Sequence, residues 1–434
     1  MLLKIEIQNY LSFYNSSTFD MFPNLKRTTF PNHVYNEDIP LLKQAVIYGA
    51  NGSGKSNLLR AIDFIKDFAT KRVFLSEELI TKSKFRLISL EKSEPIRISI
   101  EFKTESNYYI YSISLNIKNI IEELYSSGIG KADNVLIYKR NDNEIIFEKS
   151  SSDEINNATT KLLENNPYSS ILALNEEFPI IDDKNVKIAF KWFNEKLKTL
   201  HLTRILPSLI DLMSRNEPLL KFANQIFDKI GLGIKSLEIR SENLNELLNS
   251  NFEDATRIKE LMLKKTAEPW SGITKMNFEK VLFTIVKEKN EQFLKRFVFK
   301  QSGFDEFIGN MEIEDQSDGT VKLLNLIPAL YDAINREIVI CIDEIENSIH
   351  PTLITSLVEY YSNSKTKGQL IFTTHETELL NQQKYMRPDE VWFTEKHKGD
   401  TKLYSLNDFK EHNTINIKNG YLEGRYGGIP FIGS

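Results

Sequence analysis

Three residue groups in this 434-residue chain could do phosphate chemistry. The first is Gly49-Ala50-Asn51-Gly52-Ser53-Gly54-Lys55-Ser56, with the spacing G-x-x-x-x-G-K-[ST] of a Walker A loop. Glycines let successive backbone N–H groups turn inward around phosphate oxygens, and the helix N-terminus that follows adds partial positive charge. In that arrangement Lys55 reaches the β- and γ-phosphates of ATP, and the Ser56 hydroxyl holds Mg²⁺. Asn51, Gly52, Ser53, Gly54 and Asn57 complete the expected nucleotide-binding set. The second group is Asp343-Glu344, directly after the apolar run Ile338-Val339-Ile340-Cys341-Ile342. Asp343 is expected to hold Mg²⁺ through water, and Glu344 to orient or deprotonate the attacking water. The third is His375, which closes Ile371-Phe372-Thr373-Thr374-His375 thirty-one residues beyond Glu344. Its expected role is a catalytic switch contacting the γ-phosphate. Two acids after a strand, or one histidine after a strand, are common features by themselves. They gain meaning from the glycine loop upstream.

These residues need elements to position them. Gln44-Ala45-Val46-Ile47-Tyr48 reads as a buried strand before the loop, and Asn57–Ile65 has apolar residues at helical spacing after it. Strand, glycine loop and helix form one supersecondary unit. Runs of four or more apolar residues mark strands of a parallel sheet buried on both faces. In such sheets ligands sit at the C-terminal strand ends. The fold class expected is therefore α/β, a P-loop NTPase of ABC type, with an attached antiparallel β-sheet and a mainly helical insertion.

Between the motifs the pattern changes twice. From Phe85 onward, Pro95–Phe102, Tyr108–Leu115, Val135–Tyr138 and Glu144–Phe147 read as strands separated by polar turns. From about 153 to 295 the reading is helical, as in Ile188–Leu200, Leu206–Met213, Pro218–Ile230 and Asn277–Lys289, with a turn at Pro269–Gly272. The α/β pattern returns with a helix over Gly319–Asn335, a helix after Pro351, a strand over Gln369–Thr373 and a hairpin near Val391–Leu406. The expected domains are 1–152 (the N-terminal part of the ATPase domain with its β lobe), 153–300 (the helical insertion) and 301–434 (the C-terminal part of the ATPase domain). Gln316-Ser317-Asp318-Gly319-Thr320 opens the helix that precedes the acidic strand. Ser317 can cap that helix, and the Gly319 backbone can bind an anion. A cap alone explains Ser317. A second anion site in a chain with a Walker A loop suggests a composite site, most economically a head-to-tail dimer in which Ser317 and Gly319 of one subunit face the ATP of the other.

The bulk numbers narrow the classes. With 41% hydrophobic and 26% charged residues, the composition is that of a soluble protein with a sizeable core. A formal net charge of −5 gives no global pull toward nucleic acid, although a local basic patch stays open. Lys287, Lys289, Lys295, Arg296 and Lys300 form a modest basic cluster, read as a solvated helix face. The single cysteine, Cys341, excludes an intrachain disulfide framework. No apolar run approaches the ~18 residues of a membrane span, and a cytoplasmic location is expected. His33, His201, His397 and His412 show no metal spacing.

Together the motifs resemble those of ATP-binding-cassette-type ATPases, in the order Walker A, insertion, signature loop, Walker B, histidine. The chain more closely resembles the OLD-like AAA family ATPases of bacterial anti-phage systems. The residues carrying this are Tyr48–Asn57, Ser317–Thr320, Asp343-Glu344-Ile345-Glu346-Asn347-Ser348-Ile349-His350-Pro351, Thr373–Leu380 and the ending Tyr421–Pro430. The resemblance covers about 1–150 and 300–434. It implies ATP bound between two subunits of a homodimer or higher oligomer, and a stand-alone ATPase that controls a partner effector. In the AbiL pair, with its RloB-like component, and in PARIS, that effector is a nearby-encoded TOPRIM-like nuclease, and abortive infection is the outcome. Departures are Ser317-Asp318-Gly319 in place of Ser-Gly-Gly, His350 at the usual D-loop aspartate, Leu11 where repair relatives carry arginine, and no glutamine marking a Q-loop. A RecF- or SMC-like DNA-repair ATPase and a nucleotide-gated scaffold with little hydrolysis are the alternative readings.

Overall fold

A computed structural model describes residues 1–89, 94–105, 107–129, 133–148, 153–201, 208–249, 274–277, 282–288, 291–347, 349–381, 384–409 and 417–429. The chain divides into two compact units. One comprises 1–201, 332–346 and 357–434, the other 202–331 and 347–356.

The first unit is built on two sheets. Its core sheet runs Leu197–His201, Val339–Asp343, Gln369–Thr373, Gln44–Gly49, Val391–His397 and Asp400–Ser405, in that spatial order. All neighbours are parallel except the last pair, a hairpin. The three strands that carry the motifs are buried almost throughout, as expected for a parallel sheet covered on both faces. The second sheet has seven strands: Glu144–Phe147, Val135–Asn141, Ile120–Ser126, Asn107–Leu115, Ile96–Thr104, Leu2–Gln8 and Ser17–Asp20. It is antiparallel, and buried and half-exposed residues alternate along Asn107–Leu115, so one face packs inward.

The helix Lys55–Thr70 lies in the core these sheets share. Leu58, Leu59, Ile62, Ile65 and Phe68 join one apolar cluster with Ile5, Ile7, Ile98 and Ile100 of the antiparallel sheet and Ile47, Val339, Cys341 and Ile371 of the core sheet. Each such side chain contributes roughly 1.5–3 kcal/mol on burial. The buried Gln369 side chain joins the two sheets: its Oε1 accepts from Leu2 N at 2.6 Å, and its Nε2 donates to Leu2 O and Leu42 O at 3.0 and 3.1 Å.

Two helical expectations need correction. Ile188–Leu200 is helical only to Lys196. Leu197–His201 is then a strand beside Val339–Asp343, its Leu197 and Thr199 paired with Val339 and Cys341. Tertiary pairing overrides the local period there. In the second unit, helices Ser208–Arg215 and Glu217–Ile230 form as expected. Within the expected helix Asn277–Lys289, however, Leu282–Glu288 is a strand. It belongs to an antiparallel sheet with Ile234–Asn243, Thr274–Asn277, Glu291–Ser302 and Ile308–Met311. The turn at Pro269–Gly272, and Ser348, His412 and Pro430, lie outside the described residues.

One buried charge cluster braces the antiparallel lobe. The fully buried Glu122 carboxylate accepts from Tyr138 OH at 2.7 Å, Tyr111 OH at 3.0 Å and Ile171 N at 2.9 Å. Arg140 stands 3.7 Å away and donates to the carbonyls of Pro167, Ser169 and Asp142. Removing one partner leaves the other charge buried alone. Glu122→Ala is expected to destabilise the first unit by about 3–5 kcal/mol, read as a lower urea midpoint. A midpoint equal to wild type would contradict this role.

Candidate functional site

The core sheet brings the three expected groups to one edge. Register places Asp343 one residue past the Ile342–Phe372 pair and Thr373 opposite Ile47. The strand carrying the acids, the strand leading to the histidine and the strand feeding the glycine loop therefore end side by side.

Ser56 Oγ donates to Asp343 Oδ1 at 3.1 Å, and Thr373 Oγ1 donates to the same oxygen at 2.7 Å. Thr373 Oγ1 also accepts the Glu344 N–H at 2.8 Å. One threonine, absent from the expected set, thus ties both acids to the histidine strand. Glu344 has φ of 50° and an exposed side chain. A positive φ is costly for a residue with a Cβ and clusters at functional sites. Here the turn it makes directs the chain away just after Asp343.

Lys55 is buried, and its Nζ donates to Gly49 O at 2.8 Å and Ala50 O at 3.3 Å. Its third contact is His375 Nε2 at 3.0 Å. Burial lowers the Lys55 pKa, opposed by the charges of Glu344, Glu346 and Asp343. Burial and then the Lys55 charge lower the pKa of His375. A neutral imidazole accepting at Nε2 carries its proton on Nδ1. No side chain caps the helix that starts at Lys55; the N–H groups of Asn57 and Leu58 bond Gly54 O, and those of Lys55 and Ser56 at the very start suit an anion.

The glycine loop is gripped from behind by the Val391–Ser405 hairpin. Ser53 Oγ and Thr394 Oγ1 are 2.6 Å apart, and Thr401 Oγ1 bonds Ser53 O at 2.8 Å and Ser12 Oγ at 2.7 Å. Ser12 Oγ in turn accepts from Asn57 Nδ2 at 2.7 Å. A Cβ on Gly49 would stand 2.2 Å from Thr394 Oγ1, and one on Gly54, where φ is 117°, 2.3 Å from Thr401 Oγ1. Both glycines are therefore required by close approach as well as by loop conformation. Asn51 and Gly52 are exposed at the loop tip. The C-terminal segment adds a further layer: Tyr421 lies 5.6 Å from Tyr48 and stacks on Phe393 at 5.5 Å. Arg425 pairs with Glu423 at 2.7 Å.

Ser317 and Gly319 belong to the second unit. Ser317 is exposed, and its Oγ accepts the Thr320 N–H at 3.2 Å, so it caps the helix Asp318–Asn335. His350 opens the helix Pro351–Asn363, where its Nδ1 accepts the Thr352 N–H at 3.3 Å. In the basic cluster, Lys295 pairs with Glu288, Arg296 with Glu242 and Glu312, and Lys300 with Glu238. Those cations lie on a strand, not a helix.

The residues fit magnesium nucleotide. A serine hydroxyl and a carboxylate oxygen 3.1 Å apart are hard oxygen donors that would hold Mg²⁺ together with phosphates and water. Among the described residues no cluster of three or more His, Cys, Asp or Glu could hold a metal ion. Among them, too, no helix is long and apolar enough to cross a membrane.

Parallel core sheet, glycine loop, acidic strand end and antiparallel lobe define a P-loop NTPase fold of ABC type. The family described as "AAA domain, putative AbiEii toxin, Type IV TA system" matches residues 45–381, and the chain belongs to it. No curated protein matches. Among solved structures, the chain is similar to an SmcHead bound to the C-winged helix domain of ScpA, at 13% identity and TM-score 0.47 over 93% of this chain and 97% of that one. It is also similar to the SMC head domain from Thermotoga maritima, at 11% identity and TM-score 0.39 over 93% and 98%. A third is the Smc head domain with an extended coiled coil bound to the C-terminal domain of ScpA derived from Pyrococcus furiosus, at 12% and 0.41 over 93% and 96%.

Sequence reasoning missed Ser12, Thr373, Thr394, Thr401 and Glu346. None sits in a motif position with assigned chemistry, and their partners lie from about thirty to nearly four hundred residues away. Thr401→Val removes a hydroxyl that bonds both Ser53 O and Ser12 Oγ. Leaving such groups unpaired costs about 1–3 kcal/mol. The expected outcome is a lower melting temperature and ATP affinity reduced about 5-fold or more by fluorescent-nucleotide titration. Unchanged affinity would show that the hairpin does not hold the loop.

Proposed function

We propose that this chain is an Mg²⁺-dependent ATPase that dimerises around ATP and controls a partner effector in phage defence, that effector being a TOPRIM-like nuclease. The observation that carries the ATPase reading is the convergence of Lys55, Ser56, Asp343 and His375 on one edge of the core sheet. Lys55 would trade its loop carbonyls for β- and γ-phosphate oxygens. Ser56 and Asp343 would hold Mg²⁺, which when bound neutralises developing phosphate charge. Glu344 would take a proton from the attacking water, and His375 would face the γ-phosphate. The defence reading is supported by the family description, which names a putative toxin of a type IV toxin–antitoxin system, and by the motif resemblance.

Glu344→Gln keeps the shape of the side chain and removes the base. It is expected to bind ATP like wild type, to hydrolyse it at least about a hundredfold more slowly, and to accumulate an ATP-bound dimer by sedimentation. Turnover at the wild-type rate would show that Glu344 is not the base.

The dimer has its own test. If Ser317 and Gly319 act on the partner's ATP, Ser317→Arg and Lys55→Ala are each inactive, but their mixture recovers activity. A mixed dimer then holds one site with intact Lys55 from one chain and intact Ser317 from the other. Activity is measured across mixing ratios, with heterodimer formation shown by differential tagging. No recovery despite heterodimers would contradict a shared site.

A further inference from the structure

Glu346 follows the acidic strand end by three residues and has no role in the ATPase reading given above. Its Oε1 accepts the backbone N–H of His375 at 2.7 Å. The loop it holds is fixed at two further points: Thr374 N donates to Ile47 O at 3.1 Å, and Tyr48 OH donates to Glu376 O at 2.8 Å. The imidazole of His375 is thus mounted on a backbone pinned to the neighbouring strand Gln44–Gly49 and to the turn that follows the acidic strand. The second oxygen of Glu346, Oε2, is buried and has no hydrogen-bond donor among the described residues. An unpaired buried carboxylate oxygen is expensive. A glutamine would cap His375 equally well without that charge, so capping alone does not account for a carboxylate.

The surrounding charges suggest what the carboxylate is for. Among the described residues, the charges of Lys55, Glu346 and Glu344 act on His375. With Lys55 donating to Nε2, the ring is a neutral acceptor. Arriving phosphates draw the Lys55 N–H groups to their own oxygens. An imidazole that turns toward a γ-phosphate must offer a hydrogen there, not a lone pair. It can do so at Nε2 by taking a proton from solvent, and a nearby carboxylate stabilises the resulting cation.

Resting on the ATPase reading, we propose that Glu346 is a positioning residue that acts through His375. One oxygen fixes the loop backbone, and the charge of the carboxylate compensates the imidazole once phosphate takes Lys55 away and Nε2–H turns to the γ-phosphate.

Glu346→Gln and Glu346→Ala in the full chain separate the two functions. Gln keeps the acceptor for the His375 N–H and removes the charge. For Gln the expected result is a wild-type melting temperature and ATP KM within about twofold of wild type. Its kcat falls about tenfold or more. The alkaline limb of its kcat–pH profile moves down by about one pH unit, because an imidazolium without its carboxylate loses its proton more readily. Ala loses the cap as well, so KM rises too. A Gln variant with wild-type kcat and pH profile would overturn the proposal and leave Glu346 a backbone cap. Failure of the ATPase reading looks different: wild type itself would show no turnover that Lys55→Ala abolishes, and the proposal would fall with it.

Discussion

The bond from Thr373 Oγ1 to Asp343 Oδ1, 2.7 Å long, is the contact on which the rest of the site depends. It locks the ends of two parallel strands in register. Those ends carry the acids on one side and lead into the histidine loop on the other. The same hydroxyl accepts the Glu344 N–H, so the unusual turn at Glu344 is paid for locally. Ser56 joins the same carboxylate oxygen from the start of the helix. A change in either strand or in the helix start would displace chemistry carried by the other two.

A parallel sheet makes this arrangement economical. All its strands end at one edge, and connections of any length can separate them in sequence. That is how residues 44–56, 339–346 and 369–376 come together although a whole second unit intervenes in the chain. The hairpin Val391–Ser405 adds rigidity from the other flank, through hydroxyls too short to reach unless the glycines at 49 and 54 let the backbone close in. The loop is thereby preformed, and binding energy need not be spent ordering it.

The parts legible in the sequence are those whose physics is local. A glycine loop between a strand and a helix is contiguous, and so is an apolar run ending in Asp343-Glu344. The strands from Ile96 to Phe147 announce themselves by alternation, except Ile120–Ser126, where Glu122 takes an inward position at which an apolar residue is expected and is buried on a satisfied network. Leu197–His201 and Leu282–Glu288 were illegible for a different reason. Short apolar runs fit either period, and only their neighbours decide. Thr373, Thr394, Thr401 and Glu346 act through partners that no spacing rule connects to them.

In the proposed ATPase, Lys55, Ser56 and Asp343 form one magnesium-nucleotide site per chain. Isothermal titration of the wild-type protein with a slowly hydrolysed ATP analogue, in Mg²⁺ and again in excess chelator, tests it most directly. One nucleotide is expected to bind per chain in Mg²⁺, with an affinity at least about tenfold weaker in chelator, since Ser56 and Asp343 would hold the ion that neutralises phosphate charge. No binding, or binding of equal strength with and without the ion, would contradict it.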